Sequence, residues 1–116
     1  TTMLHKDSAS AYNTLLYVQD DTRPGALWHI FNQDDTRMIA KVFNQPEINS
    51  NPLMDFTLYL NAKDLEVLER EHGVKPIVIE QRVGEMILIP AGCAHQVRNL
   101  QLCVKVRTFF ILMYVY

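Results

Sequence analysis

His5 and Asp7 stand two apart near the start of the sequence, and His95 opens what reads as a strand near its far end. Two histidines and one carboxylate can occupy one face of an octahedral ion and leave adjacent positions open. That geometry suits non-haem iron(II), which must take a chelating co-substrate and oxygen together. In extended backbone, residues two apart project from the same face, so His5 and Asp7 can grip a single ion. An isolated His-x-Asp triplet is common and most often lies on a surface, so the weight falls on the setting of His95. Gly84-Glu85-Met86-Ile87-Leu88-Ile89-Pro90-Ala91-Gly92-Cys93-Ala94-His95-Gln96-Val97 is an apolar strand, a Pro/Gly turn and a histidine at the next strand's start. Such an arrangement puts an imidazole at the mouth of a barrel, where ligand sites form.

The elements that must position these residues are mostly strands. Leu4 to Val18 shows no helical period and reads as one extended segment with a bulge. Asp20 to Gly25 is a loop by composition, and Ala26 to Phe31 is a short buried strand or the lead-in to a helix. Asp34 or Asp35 is the expected N-cap of a helix running to about Asn44, with Met38, Ile39, Val42 and Phe43 on its buried face. A proline-containing loop from Asn44 to Asp55 follows. Asn61 then caps a second helix, Ala62 to His72, with Leu65 and Leu68 inward and Gly73 as its left-handed terminus. Pro76 to Gln81 and Met86 to Ile89 read as strands joined by a turn at Gly84. His95 to Arg98 and Leu102 to Phe110 are expected to pair as a hairpin. Strands at both ends with helices between them imply a mainly β jelly roll carrying a helical insert at about 34–72.

The 116 residues make at most one domain, and a 48% hydrophobic content allows a core of moderate size. The formal charge of −2 and a pI of about 6.0 argue against direct nucleic-acid binding by this segment. The apolar stretch Phe109 to Tyr116 falls far short of the ~20 residues a membrane helix needs, and no signal-peptide pattern opens the chain. Cys93 and Cys103 match no zinc spacing and read as small packed thiols. Trp28 reads as core, His29 as a structural histidine bonding a backbone group, and His72 as a helix C-terminal residue.

Thr2-Met3-Leu4-His5-Lys6-Asp7 resembles the first metal motif of jumonji C (JmjC) domains, and Gly84 to Leu100, ending His95-Gln96-Val97-Arg98-Asn99-Leu100, resembles the second. Ala26-Leu27-Trp28-His29-Ile30-Phe31 lies between them as it does in the branch of histone demethylases acting on lysine 9 of histone H3. The resemblance implies a double-stranded β-helix, a partial JmjC domain over 1–116 with its N-terminal strands missing. It also implies a nuclear chromatin regulator that removes methyl groups from the histone H3 tail, with Fe(II) as cofactor and 2-oxoglutarate as co-substrate.

By the same resemblance His5, Asp7 and His95 correspond to the iron ligands, and Thr2 and Lys105 to residues holding the far carboxylate of the co-substrate. If Asn99-Leu100-Gln101 forms a hairpin loop, His95 and Lys105 face each other on one side. Asn13 shares parity with His5 and Asp7 and is a further candidate contact for the co-substrate. The chain departs from the family pattern at Leu53-Met54-Asp55-Phe56, at Ile77, at Ala94 and in the tail after Val106-Arg107-Thr108. These departures leave two other readings open: a JmjC protein hydroxylase, or a jumonji-like module that binds without turnover.

Overall fold

The structure is a computed structural model that describes residues 1–43 and 58–110. The expected loop from Asn44, the departure at Leu53 to Phe56 and the end of the apolar tail lie outside those residues. Among the described residues, seven strands and two helices run as β1 (Thr2–His5), β2 (Ser10–Val18), β3 (Ala26–Ile30), α1 (Gln33–Val42), α2 (Ala62–His72), β4 (Ile77–Gln81), β5 (Met86–Ile89), β6 (His95–Asn99) and β7 (Cys103–Phe110). They form two antiparallel sheets, one in the order β1-β6-β3-β4 and the other β5-β2-β7. This is the jelly-roll sandwich expected of a double-stranded β-helix. Among the described residues, no helix is long and apolar enough to cross a membrane.

Two apolar clusters sit on opposite faces of the four-stranded sheet. Trp28, Ile30 and Val97 face the second sheet and pack with Ile87, Ile89 and Cys93. Leu4, Phe31 and Ala94 face away and pack against Ile39 and Ala40 of α1 and Leu68 of α2. The alternation of strand side chains thus divides one sheet between two cores, with the metal-ligand candidates on the inner side. The outer face of the three-stranded sheet carries exposed Leu16, Met86, Leu88, Val104 and Val106.

Local chemistry explains the helices. Asn32, two residues ahead of Asp34, is the N-cap of α1, its side chain accepting from the Asp35 N–H at 2.7 Å. Asp34 and Asp35 instead fill the first turn, where the helix dipole favours negative charge. Met38 is exposed rather than inward; the buried face is Thr36, Ile39 and Ala40. Thr36 is the polar member of that face. Its hydroxyl donates to Asn32 O at 2.7 Å and accepts from Ala94 N–H at 2.9 Å, tying α1 to the residue before His95. Helix α2 has the expected boundaries: Asn61 and Asp64 form a reciprocal capping box, and Gly73 ends it at φ 66°.

Two expectations about the strands need correction. Leu4 to Val18 is not one strand: β1 joins the first sheet and β2 the second, so the segment between them crosses the sandwich. Strands β6 and β7 do not form a hairpin either, for β6 pairs with β1 and β3 while β7 pairs with β2. The connection is held by Gln101, together with the Leu100 N–H donating to Gly25 O and the Leu102 carbonyl accepting from Gln19 N–H. The Gln101 side chain accepts from Asp20 N–H at 2.7 Å and donates to the carbonyls of Asp20, Arg23 and Pro24. Bound to the Asp20–Pro24 loop, the connection after β6 is carried across to the other sheet.

Two buried glutamines hold the layers together. Gln81 accepts from Trp28 Nε1 at 2.9 Å and donates to Asn13 O and Glu85 O, both at 3.0 Å, linking the sheets. Gln96 brackets Leu60, accepting from its N–H at 2.8 Å and donating to its carbonyl at 2.9 Å. Leu60 is buried, so both its backbone groups depend on that amide. Replacing Gln96 with Leu should cost about 2–4 kcal/mol in urea unfolding, because it leaves a donor and an acceptor unsatisfied. A loss under ~1 kcal/mol would show that water reaches Leu60.

Candidate metal centre

His5 ends β1 and His95 begins β6, and the two are paired across the sheet. Asp7 follows β1 and is held by its own carbonyl, which accepts from Gly92 N–H at 2.9 Å. Gly92 turns the chain toward His95 at φ 78°, a left-handed conformation that favours glycine. A Cβ there would also lie 2.9 Å from the Gln33 amide nitrogen. The loop bearing Asp7 and the turn leading to His95 are therefore bonded to each other.

Both histidines are buried, and their rings lie with centroids 4.2 Å apart. Nδ1 of His5 lies 2.9 Å from Met3 O, and Nδ1 of His95 lies 3.0 Å from Cys93 O. A carbonyl only accepts, so Nδ1 carries the proton in each ring and Nε2 presents a lone pair. Those Nε2 atoms stand 3.8 Å and 3.7 Å from Asp7 Oδ2. That is too far for hydrogen bonds, and Asp7 Oδ2 is buried with no hydrogen-bond partner. One ligand atom from each of the three residues lies within 4.8 Å of the others. Three acceptors converging in a buried space repel one another unless a cation lies between them. The donor set, two imidazoles and a carboxylate, fits iron(II) with open positions.

Burial first, and then the neighbouring His5, push His95 from 6.5 down to about 4. Its imidazole is therefore neutral at pH 7, as a metal ligand must be. The ring of Trp28 lies nearly parallel to His95, with centroids 6.0 Å apart, so Trp28 is a wall of the site as well as core. Lys105 does not face His95 across a hairpin; its strand partner is Leu15. It reaches the same space from the facing sheet. Its Nζ lies 5.9 Å from the Trp28 ring centre and donates to Asn99 Oδ1 at 2.6 Å. Burial lowers the Lys105 pKa.

Asn13 is buried on β2, opposite Ile87 and Arg107, and its Oδ1 has no partner. Thr2 is exposed at the start of β1, opposite Val97. Arg107, not singled out in the sequence, lies close enough to depress His95. Its parity with Lys105 on β7 is the signal that could have found it. His29 corrects another expectation: its Nδ1 is buried without a hydrogen-bond partner, so it does not bond a backbone group there.

The model of a family described as "JmjC domain, hydroxylase" matches residues 1–110. The chain belongs to the JmjC domain family. Lysine-specific demethylase 3A-A of Xenopus laevis is 37% identical over 82% of this chain, and lysine-specific demethylase JMJ27 of Arabidopsis thaliana is 35% identical over 75%. Lysine-specific demethylase 3 of Drosophila melanogaster is 34% identical over 96%. The JmjC chain spans only 8%, 12% and 18% of the Xenopus, Arabidopsis and Drosophila relatives.

The low His95 pKa sets a pH dependence. Unfolded, His95 takes up its proton near 6.5; folded, it does so only near 4. The unfolded state binds more protons between those values, so stability is complete above pH 6.5 and falls as pH drops through the window. For metal-free protein the loss should reach roughly 3 kcal/mol between pH 7 and 4. Urea unfolding across that range should show a shallower fall in His95→Gln; an identical slope would assign the effect to other groups.

Proposed function

We propose that this JmjC domain is the metal-binding core of an Fe(II)- and 2-oxoglutarate-dependent histone lysine demethylase acting on methylated lysine 9 of histone H3, in the nucleus. The buried Asp7 Oδ2, without a hydrogen-bond partner and flanked by the Nε2 atoms of two buried histidines, carries the reading. The names of the relatives supply its substrate class. The domain proposed is a partial one over 1–116.

In this reading His5, Asp7 and His95 hold iron. When bound, iron supplies oxygen activation coupled to oxidation of 2-oxoglutarate. Lys105 offers its ammonium to the far carboxylate of the co-substrate, with Asn99 fixing where that ammonium sits. An anionic neighbour would offset the burial that lowers its pKa. Asn13 contributes an amide facing the same interior, and Thr2 a hydroxyl from the start of β1. Trp28 and the sandwich core around it exclude water from the imidazole face of His95.

The description of the matched family as a hydroxylase favours a second reading, hydroxylation of a protein side chain at the same site. Product analysis separates the two, since N-methyl oxidation releases formaldehyde whereas carbon hydroxylation leaves a stable product heavier by one oxygen. With a methyl-lysine 9 H3 peptide, iron(II) and 2-oxoglutarate, the intact chain should release succinate and formaldehyde in equal amounts. His95→Ala should abolish both, and Lys105→Ala should raise KM for 2-oxoglutarate about 10- to 100-fold with a smaller change in kcat. Undiminished turnover in His95→Ala would sink the assignment.

A further inference from the structure

Strand β7 carries two cations on the face that looks into the sandwich. Arg107 is the cross-strand partner of Asn13 and Lys105 that of Leu15, and both partners are buried on the inner side of β2. Among the described residues neither cation is paired with a carboxylate. Lys105 donates to Asn99, and the Arg107 guanidinium lies 4.7 Å from the centre of the Phe109 ring. A contact of that kind is weak at an exposed site and easily exchanged. Arg107 and Phe109 are exposed although they share the inner face, so the sandwich is open to solvent at this end.

The two cations stand at different depths. Asn99, which holds the Lys105 ammonium, ends β6, whereas His95 begins it. Lys105 therefore belongs to the end of the interior remote from the histidines. Arg107 stands two residues further along β7, a rise of about 7 Å, and it is close enough for its charge to act on His95. That rise is comparable to the length of a five-carbon diacid. Beside Arg107 the interior also holds an unsatisfied acceptor, for Asn13 is 9% exposed and its Oδ1 has no hydrogen-bond partner. A guanidinium carries five donors in a fixed fork, enough to give one to Asn13 and a pair to a carboxylate.

We infer that Arg107 is a second anion-binding residue of the metal centre, holding the carboxylate beside the keto group of the co-substrate while Lys105 holds the far one. The inference rests on the reading of this centre as a 2-oxoglutarate site. It divides the work between the two cations. Lys105 selects acids that have a second carboxylate, whereas Arg107 acts on any 2-oxo acid. Each charge of the dianion then meets one cation, and the guanidinium that leaves Phe109 satisfies Asn13 Oδ1 in the same movement.

Trp28 is the chain's one tryptophan, and its ring lies 6.0 Å from that of His95 and 5.9 Å from the Lys105 ammonium, so its fluorescence reports occupancy. The full chain is loaded with zinc(II) in place of iron, which prevents turnover, and titrated with 2-oxoglutarate or with 2-oxovalerate, which lacks the far carboxylate. Arg107→Met should weaken both acids by a similar factor, about tenfold. Lys105→Met should weaken 2-oxoglutarate alone. Arg107→Lys keeps the charge and should recover part of the loss for both acids. Arg107 is exposed, so its variants should fold as the parent does. An Arg107→Met chain that binds both acids like the parent, or loses affinity for 2-oxoglutarate alone, would overturn the assignment and leave the reading of the metal centre standing. A parent that holds 2-oxoglutarate but no 2-oxovalerate at millimolar concentration would do the same. A parent that binds neither acid would overturn both.

Discussion

Lone pairs brought together in a dry interior repel, and the architecture around His5, Asp7 and His95 works against that repulsion. The two carbonyls that receive the Nδ1 protons lock each ring so that Nε2 cannot turn away. The hydrogen bond from Gly92 N–H to the Asp7 carbonyl fixes the backbone from which the carboxylate projects. Thr36 fixes the residue before His95 from the far side of the sheet. A cation relieves what these contacts enforce, so binding energy is stored in the arrangement before any ion arrives.

The sheets themselves depend on uncharged hydrogen-bonding groups. A jelly roll of this size has little apolar area between its layers, and its inner face must also admit polar ligands. Gln81 meets both demands by bridging the sheets through backbone carbonyls and by holding the Trp28 ring against His95. Trp28 thereby serves the core and the site at once.

What could be read from the sequence was whatever depends on nearby residues. Asn61, Asp64 and Gly73 define α2 because caps act within a turn. His5 and Asp7 share a face because strand geometry requires it. Strand partnership was harder to read, since it depends on contacts between distant segments. The β6–β7 connection looks like a hairpin loop until Gln101 is seen bound to the Asp20–Pro24 loop. Lys105 is expected to face His95 across a hairpin, but it stands on the other sheet, paired with Leu15. The start of α1 was misplaced because Asn32, Asp34 and Asp35 are all good caps; the contact of Thr36 with Ala94 N–H, invisible locally, favours the earliest. His29 looked like an ordinary structural histidine because nothing local reveals that its Nδ1 is left without a partner.

The pairing of β1 with β6 has a consequence for how the protein is made. Among the described residues β1 has no other strand neighbour, so during synthesis it leaves the ribosome long before its only partner exists. The second sheet is no different, since β2 waits for β5 and then β7. Both early strands are placeholders, and contacts of such long range form slowly. The site that needs His5 and His95 together cannot assemble until β6 has emerged. Closure of the His5–Asp7–His95 cluster thus waits on β6, and a nascent chain stalled just before β6 would expose β1 without the strand it pairs with.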